Sequence, residues 1–200
     1  LKILSNQLQE TSWLLERRKE AFKQFKELEM PSFRYGIGIF VDVSDLNLDV
    51  INPLDYKNEN TMIKSEEAEI LSFQEALQKY PNLLEDYFLA KGELYENKLT
   101  ALHNAFFTQG VVIRIPKNTN LNKPIKIYEE MTSSAKISTL LIIAEPNSKA
   151  MVIEALNSIN DKQQSFMSQE IDMIVKENAQ IEYKTIQNVS KATYHFSQRK

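Results

Sequence analysis

Gly110-Val111-Val112-Ile113-Arg114-Ile115-Pro116 is where the grammar of this chain changes. A run of β-branched residues around one arginine, opened by a glycine and closed by a proline, spells a short strand. The same signal recurs downstream. Ile125-Lys126-Ile127-Tyr128 follows Asn122-Lys123-Pro124, and further β-rich runs cover residues 139–144, 150–156, 166–175, 180–187 and 193–196. Ile171, Met173 and Val175 alternate, as do Ile181, Tyr183 and Thr185, the period-two signal of a strand with one buried face. The breaks are turn-like: Pro146-Asn147-Ser148, residues 157–163, and Glu177-Asn178. No helical pattern intervenes, which leaves a sandwich, a barrel or a solenoid. Hairpin folds advertise Asn-Gly, Asp-Gly or Gly-Gly turns, and none occurs here. Solenoid corners need no such turns, so the balance tilts toward a β-helix with the other two still open.

Upstream of Gly110 the chain reads as helical. Leu14, Ala21, Phe25 and Leu28 recur at helical intervals, with Glu16, Arg17, Lys19, Glu20, Lys23 and Lys26 mostly elsewhere on the surface. Thr11 or Ser12 is placed to cap that helix and Pro31 to help stop it. Trp13, Phe22 and Phe25 read as core packing. Residues 35–43 are rich in β-formers and predict one strand; residues 58–60 predict a loop. Ser72-Phe73-Gln74-Glu75 has the form of a capping box. Pro81 suits the first turn of a helix over 82–90, stopped by Gly92, and a last helix over 97–107 ends near Gly110.

Composition narrows the function classes. The 200 residues carry 42% hydrophobic and 26% charged residues, as ordinary folded chains do. A chain of this size buries roughly 70% of the surface its unfolded form exposes, enough for a real core. Net charge is -3 with both signs interspersed, so no basic stripe marks a nucleic-acid binder. The longest apolar run, residues 140–144, is of strand length, far below the roughly 18 residues of a membrane span. With no signal-peptide pattern the chain reads as cytoplasmic. It contains no cysteine, which excludes disulfides, thiolate catalysis and cysteine-ligated metal within it. Four glycines cannot build a phosphate-cradling loop, and Gly36-Ile37-Gly38, half a dinucleotide fingerprint, reads as a bend or strand start. The chain starts at Leu1 without a methionine and stops at Lys200 just after a strand-like run; both ends read as cut from something longer.

The run from Ala101 to Lys117 (Ala-Leu-His-Asn-Ala-Phe-Phe-Thr-Gln-Gly-Val-Val-Ile-Arg-Ile-Pro-Lys) resembles a signature of the SufB/SufD family of iron–sulfur cluster assembly proteins. The likeness continues through Lys123-Pro124-Ile125, Thr139-Leu140-Leu141-Ile142-Ile143 and Val152-Ile153-Glu154. Glu182-Tyr183-Lys184-Thr185-Ile186-Gln187-Asn188 is similar to the family's Tyr-x-Thr-Val-Gln-Asn-Trp run. Upstream, the stretch from Trp13 to Ala21 and Leu28-Glu29-Met30-Pro31 resemble its N-terminal helix and the proline motif after it.

The resemblance implies an α+β chain. Residues 1–107 would form a mainly helical region with a short β segment near 35–43, and residues 108–200 the opening rungs of a right-handed parallel β-helix. It implies a scaffold rather than an enzyme, with no catalytic residue. Family members carry a C-terminal helical region that docks SufC, an ABC-type ATPase, and SufB and SufD pair through their β-helices. The implied partners are therefore a SufC-like ATPase, contacted beyond Lys200, and a SufB/SufD paralogue or second copy, with no nucleic acid and no membrane. No cofactor is expected on this stretch; a nascent Fe–S cluster, built from delivered sulfide, belongs to the full assembly. Such clusters are held by cysteine thiolates. In SufB-type members a cysteine lies near the position of Leu156, and a tryptophan stands where this chain has Val189. Gln187 matches the family glutamine associated with sulfur passage through the β-helix. These departures point toward a SufD-like or divergent archaeal-type member.

Other residues weigh less. His103, in an apolar helix with no second ligand at helical spacing, reads as a satisfied, partly buried histidine. His195 alternates with Tyr194 and Phe196 and faces either into the coil or out of it. Glu66-Glu67 and Glu129-Glu130 are sequence neighbours, which rarely face one another, so neither is an acid–base dyad. Asn188-Val189-Ser190 fits a glycosylation sequon by chance. The competing reading is a β-solenoid or cupin-like sugar- or metal-binding protein or enzyme. That needs clustered histidines and carboxylates, and no such cluster is visible; a generic β-rich interaction module has no positive signal.

Overall fold

Two helices open the chain: α1 (Lys2–Gln7) and α2 (Ser12–Glu27). Leu14 and Ala21 of α2 are fully buried, as their spacing predicts. Thr11 occupies the N-cap of α2 but makes no side-chain cap bond, contrary to expectation. The computed structural model describes residues 1–35, 39–54, 60–65, 67–87, 97–158 and 162–200. Gly36, Gly38, Asn58, Glu66, Gly92 and the last turn of the helix expected to reach Ala90 lie outside these residues.

The single strand expected over 35–43 is instead a pair, β1 (Phe33–Tyr35) and β2 (Ile39–Val41), antiparallel with Phe33 opposite Val41. A lone strand leaves a row of backbone donors and acceptors unmatched, and pairing with itself satisfies them. A 3-10 turn at Leu48–Val50 follows. Two further strands, β3 (Asn60–Lys64) and β4 (Glu69–Ser72), come next, β3 beginning at the far end of the expected loop.

The helix starts after that follow the sequence closely. In α3 (Phe73–Lys79) Ser72 Oγ accepts from Glu75 N at 3.2 Å while Glu75 Oε2 accepts from Ser72 N at 2.8 Å, the reciprocal capping box. Pro81 opens α4 (Pro81–Tyr87). Asn97 caps α5 (Lys98–Phe106), accepting from Leu99 N and Thr100 N at 2.9 and 3.0 Å.

From Gln109 the chain coils. Its strands are β5 (Gln109–Ile115), β6 (Ile125–Met131), β7 (Ala135–Ala144), β8 (Lys149–Ser158), β9 (Ser165–Val175), β10 (Gln180–Asn188) and β11 (Thr193–Arg199). They join alternately to two sheets, ordered β11-β9-β7-β5-β4 and β10-β8-β6-β3. Every pairing among β5 to β11 is parallel, which makes a β-solenoid of about three turns and excludes a cupin-like sandwich. The antiparallel strands β4 and β3 pair with β5 and β6 and close the first coil's edges.

Register is marked at one corner by asparagines. Asn118, Asn147 and Asn178 all hold left-handed backbone (φ 60°, 57° and 55°). Asn147 Nδ2 donates to Asn118 Oδ1 at 3.0 Å and Asn178 Nδ2 to Asn147 Oδ1 at 3.2 Å, with separations of 29 and 31 residues. One core fills the coil, with Ile113, Ile125, Ile142, Val152 and Ile171 fully or almost fully buried. Another lies between the helices and the outer face of the larger sheet, where Leu14, Phe73, Leu102, Phe107, Leu141 and Phe166 meet.

Candidate functional site

Inside the coil the apolar filling is interrupted. Side chains of one parity face inward, and on three strands a polar one stands between apolar neighbours. Glu129 lies between Ile127 and Met131, Glu154 between Val152 and Leu156, and Gln169 between Met167 and Ile171; all of these are buried. Met131, Leu156 and Met167 form a small cluster beyond this layer. A staggered layer of polar groups therefore interrupts the apolar interior, with Glu154 in register with Ile127 and Glu129 with Leu156.

The layer has two hydrogen-bonded parts. In the first, Lys136 Nζ lies 3.4 Å from Glu129 Oε2 and donates to Thr61 Oγ1 at 3.2 Å, and Ser138 Oγ donates to Glu129 Oε2 at 3.5 Å. In the second, Glu154 Oε1 accepts from Gln169 Nε2 at 3.0 Å and Oε2 accepts from the Tyr183 hydroxyl at 2.6 Å. His195 Nε2 lies 3.4 Å from Gln169 Oε1, so the second part extends to the last strand.

Glu129 has a cation beside it, whereas the partners of Glu154 are neutral. Burial, and then the charge of Glu129, push the Glu154 carboxyl up to about 7, against the bonds from Tyr183 and Gln169 that favour its ionised form. Burial and the neighbouring Glu154 carboxylate hold the Tyr183 hydroxyl above its ordinary value. Burial, with Arg199 nearby, pushes the His195 imidazole down. Glu154 can thus gain or lose a proton near neutrality while shielded from bulk water.

Gln187 lies on β10 in register with Leu156, on the same parity as the inward Tyr183 and Thr185, and is exposed. It borders a cavity of about 440 Å³ together with Gln169 and His195. The cavity also reaches His103, Ser168 and Glu170. His195 takes the inward one of its two alternatives. His103 is 3% exposed and bridges two hydroxyls, with Nδ1 2.8 Å from Ser168 Oγ and Nε2 3.0 Å from Thr139 Oγ1. Burial pushes its imidazole down to about 4, against the pull of Glu170 and helped by Arg18 and Lys200, so it is neutral. It is a structural histidine tying α5 to β7 and β9. Glu129 faces in while Glu130 takes the opposite parity, and Glu67 is exposed. Asn188, exposed, donates to Asn157 Oδ1 at 3.3 Å.

Sequence reasoning assigns no role to Glu154, Gln169 or Lys136. The available signal is parity, since each is polar at a position whose neighbours two residues away point inward. Among the described residues no group of three or more histidines and carboxylates is placed to hold a metal ion. Among them, too, no helix is long and apolar enough to cross a membrane.

Two family descriptions together match residues 40–200 of the chain. "SUF system FeS cluster assembly, SufBD core domain" covers residues 127–200, and "SufBD protein N-terminal region" covers residues 40–127. The chain is 26% identical over 232 residues to the iron–sulfur cluster assembly SufBD family protein ycf24 of Trieres chinensis, covering 93% of this chain and 48% of the relative. It is 25% identical over 236 residues to the iron–sulfur cluster assembly protein SufD of Bacillus subtilis, covering 100% of this chain and 54% of the relative. An iron–sulfur cluster assembly SufBD family protein of Staphylococcus saprophyticus is 25% identical over 240 residues, with 96% and 50% covered. The chain spans about half the length of the curated relatives it matches.

Proposed function

This chain belongs to the SufBD family of iron–sulfur cluster assembly proteins, and from that premise we propose that it is the front portion of a scaffold subunit working with a SufC-like ABC-type ATPase. The observation that carries the reading is the family match itself, which runs through the helical region and the parallel coil in order. In this reading the protein is cytoplasmic and performs no bond chemistry of its own. Residues 1–107 form its helical region and 108–200 the start of its core. The nascent cluster is cargo, and with no cysteine in these 200 residues its thiolate ligands come from elsewhere in the assembly.

The interior layer fits this role. Gln187, His195 and Gln169 border one cavity, and Glu154 stands behind Gln169. Neutral donors and a carboxylate that protonates near neutrality can accommodate a small polar sulfur species that a wholly apolar core would reject. Gln187 is the residue we assign to the mouth of that route. The ATPase and a SufB/SufD paralogue or second copy are the partners.

Coexpression of the full-length protein with its SufC-type ATPase tests the proposal. The two are expected to copurify as a stable complex, and a folded ATPase that fails to associate overturns the scaffold reading. Gln187→Ala in that complex is expected to slow cluster formation without loosening assembly; an unchanged rate removes Gln187 from the route.

A further inference from the structure

The two sheets differ on their outer faces. Helices α3 and α5 pack against β4, β5 and β9 of the larger sheet. On the outer face of β3-β6-β8-β10, Met62, Tyr128 and Ile186 are 52%, 36% and 60% exposed. Register joins them: Met62 stands opposite Tyr128, Tyr128 opposite Ala155, and Ala155 opposite Ile186. They make one apolar row across four strands.

A second row runs beside the first, two residues along each strand, about 7 Å away. Lys64 stands opposite Lys126, Lys126 opposite Ile153, and Ile153 opposite Lys184. Like charges directly opposite on neighbouring strands disfavour pairing. Lys184 is balanced by Glu182 at 2.8 Å, but neither Lys64 nor Lys126 has an ion-pair partner among the described residues. Both border a cleft of about 540 Å³ floored by Ile63, Leu121 and Pro124, with Lys123 on its rim and Glu67 also in its lining. A local conflict kept beside an uncovered apolar row is the pattern of a surface specified by something other than folding.

We propose that this sheet face docks an amphipathic helix of a partner protein, its apolar ridge on Met62, Tyr128 and Ile186 and its carboxylates on Lys64 and Lys126. The charge pattern selects the occupant. An apolar ridge with an acidic flank is complementary to an apolar row with a lysine row beside it. The fit in length is natural, since four strands at about 4.8 Å spacing span roughly 14 Å, two to three helical turns. A lipid surface is disfavoured because Glu130 and Glu182, of the same outward parity, would be pressed against anionic headgroups.

The probe is a labelled helical peptide of about 18 residues with a leucine ridge and a glutamate flank, titrated into the full-length protein by fluorescence anisotropy. A twin with lysine for each glutamate is the control. The acidic peptide is expected to bind and the twin not. K64E/K126E is expected to weaken the acidic peptide at least about tenfold and to let the twin bind, with thermal unfolding unchanged because both lysines are exposed. K64Q/K126Q supplies the milder version, weakening the acidic peptide without recruiting the twin. Equal affinity for the two peptides, indifference to charge reversal, or no peptide binding overturns the proposal. So does charge reversal that abolishes adsorption to phosphatidylserine vesicles or self-association in sedimentation while leaving the peptide's affinity untouched.

Discussion

The guanidinium of Arg18 lies over the ring of Phe107, 3.9 Å from its centroid, and donates to the Phe107 carbonyl at 2.8 Å. It also donates to the Ala105 carbonyl at 3.0 Å and, through Nε, to Glu10 Oε2 at 2.9 Å. Those carbonyls belong to the unpaired C-terminal end of α5, so one side chain of α2 closes the helix from which the coil begins. Arg18 and Glu10 are both almost fully buried. Removing one partner of such a pair strands the other charge, so Arg18→Ala is expected to lower unfolding stability by about 3–5 kcal/mol in denaturant titrations of the full-length protein. A loss below about 1 kcal/mol would mean that water replaces the guanidinium without penalty.

Gly110 begins the first coil where Phe73 of α3 crosses it. A Cβ at this position would stand 2.7 Å from Phe73 Cβ, an approach neither backbone can relieve by a rotamer change. Gly110→Ala is expected to destabilise by about 1–3 kcal/mol, the range for forced overpacking. Pairing it with Phe73→Gly, which removes the Cβ that the new methyl would meet, should make the loss smaller than the sum of the single effects. Strict additivity in thermal unfolding would show that the two positions do not collide.

The asparagine ladder allows backbone strain to be separated from side-chain bonding. At Asn147 a left-handed backbone costs alanine roughly 1–2 kcal/mol and glycine almost nothing. Both substitutions delete the bonds to Asn118 and Asn178. Asn147→Ala should therefore unfold at lower denaturant than Asn147→Gly. Equal midpoints would place the whole contribution in the ladder bonds.

What could be read from the sequence follows the range of the forces involved. The Ser72–Glu75 box, the Asn97 cap and the strands after Gly110 are legible because caps and period-two alternation act within a few residues. Strands β3 and β4 are not, because they are stabilised by partners far along the chain, Ile63 by Ile127 and Ile70 by Ile113. Nothing in the local pattern marks Arg18 as buried; besides Glu10, its partners are carbonyls 87 and 89 residues away. One signal for the coil was present and goes unused in the strand pattern. Asn118, Asn147 and Asn178, spaced by 29 and 31 residues at strand ends, favour a solenoid over a sandwich. At the site, Gln187 is legible by resemblance alone. Glu154 and Gln169 need the parity of their strands, and their meeting needs the coil to close.

Glu154 and His103 oppose one another in their effect on stability against pH. The Glu154 carboxyl rises from 4.5 to about 7 on folding, so the native state holds a proton that the unfolded chain has released, and stability falls as pH climbs through that interval. The His103 imidazole drops from 6.5 to about 4, so the unfolded chain takes the proton first, and stability falls as pH descends through that interval. His195, also lowered, adds to the second effect. Each single proton is worth at most about 1.4 kcal/mol per pH unit. Between roughly pH 4.5 and 6.5 the two slopes largely cancel, and the wild-type curve is expected to be shallow there. Glu154→Gln keeps a neutral acceptor in place and should unmask the histidines, so that stability climbs with pH across that interval. His103→Gln should unmask the carboxyl, so that stability declines across it and on toward pH 7. Urea midpoints measured from about pH 4 to 8 decide the matter. Parallel curves for the two variants would show that neither group changes its protonation on unfolding, and the polar layer would then be a packing feature with no proton to exchange.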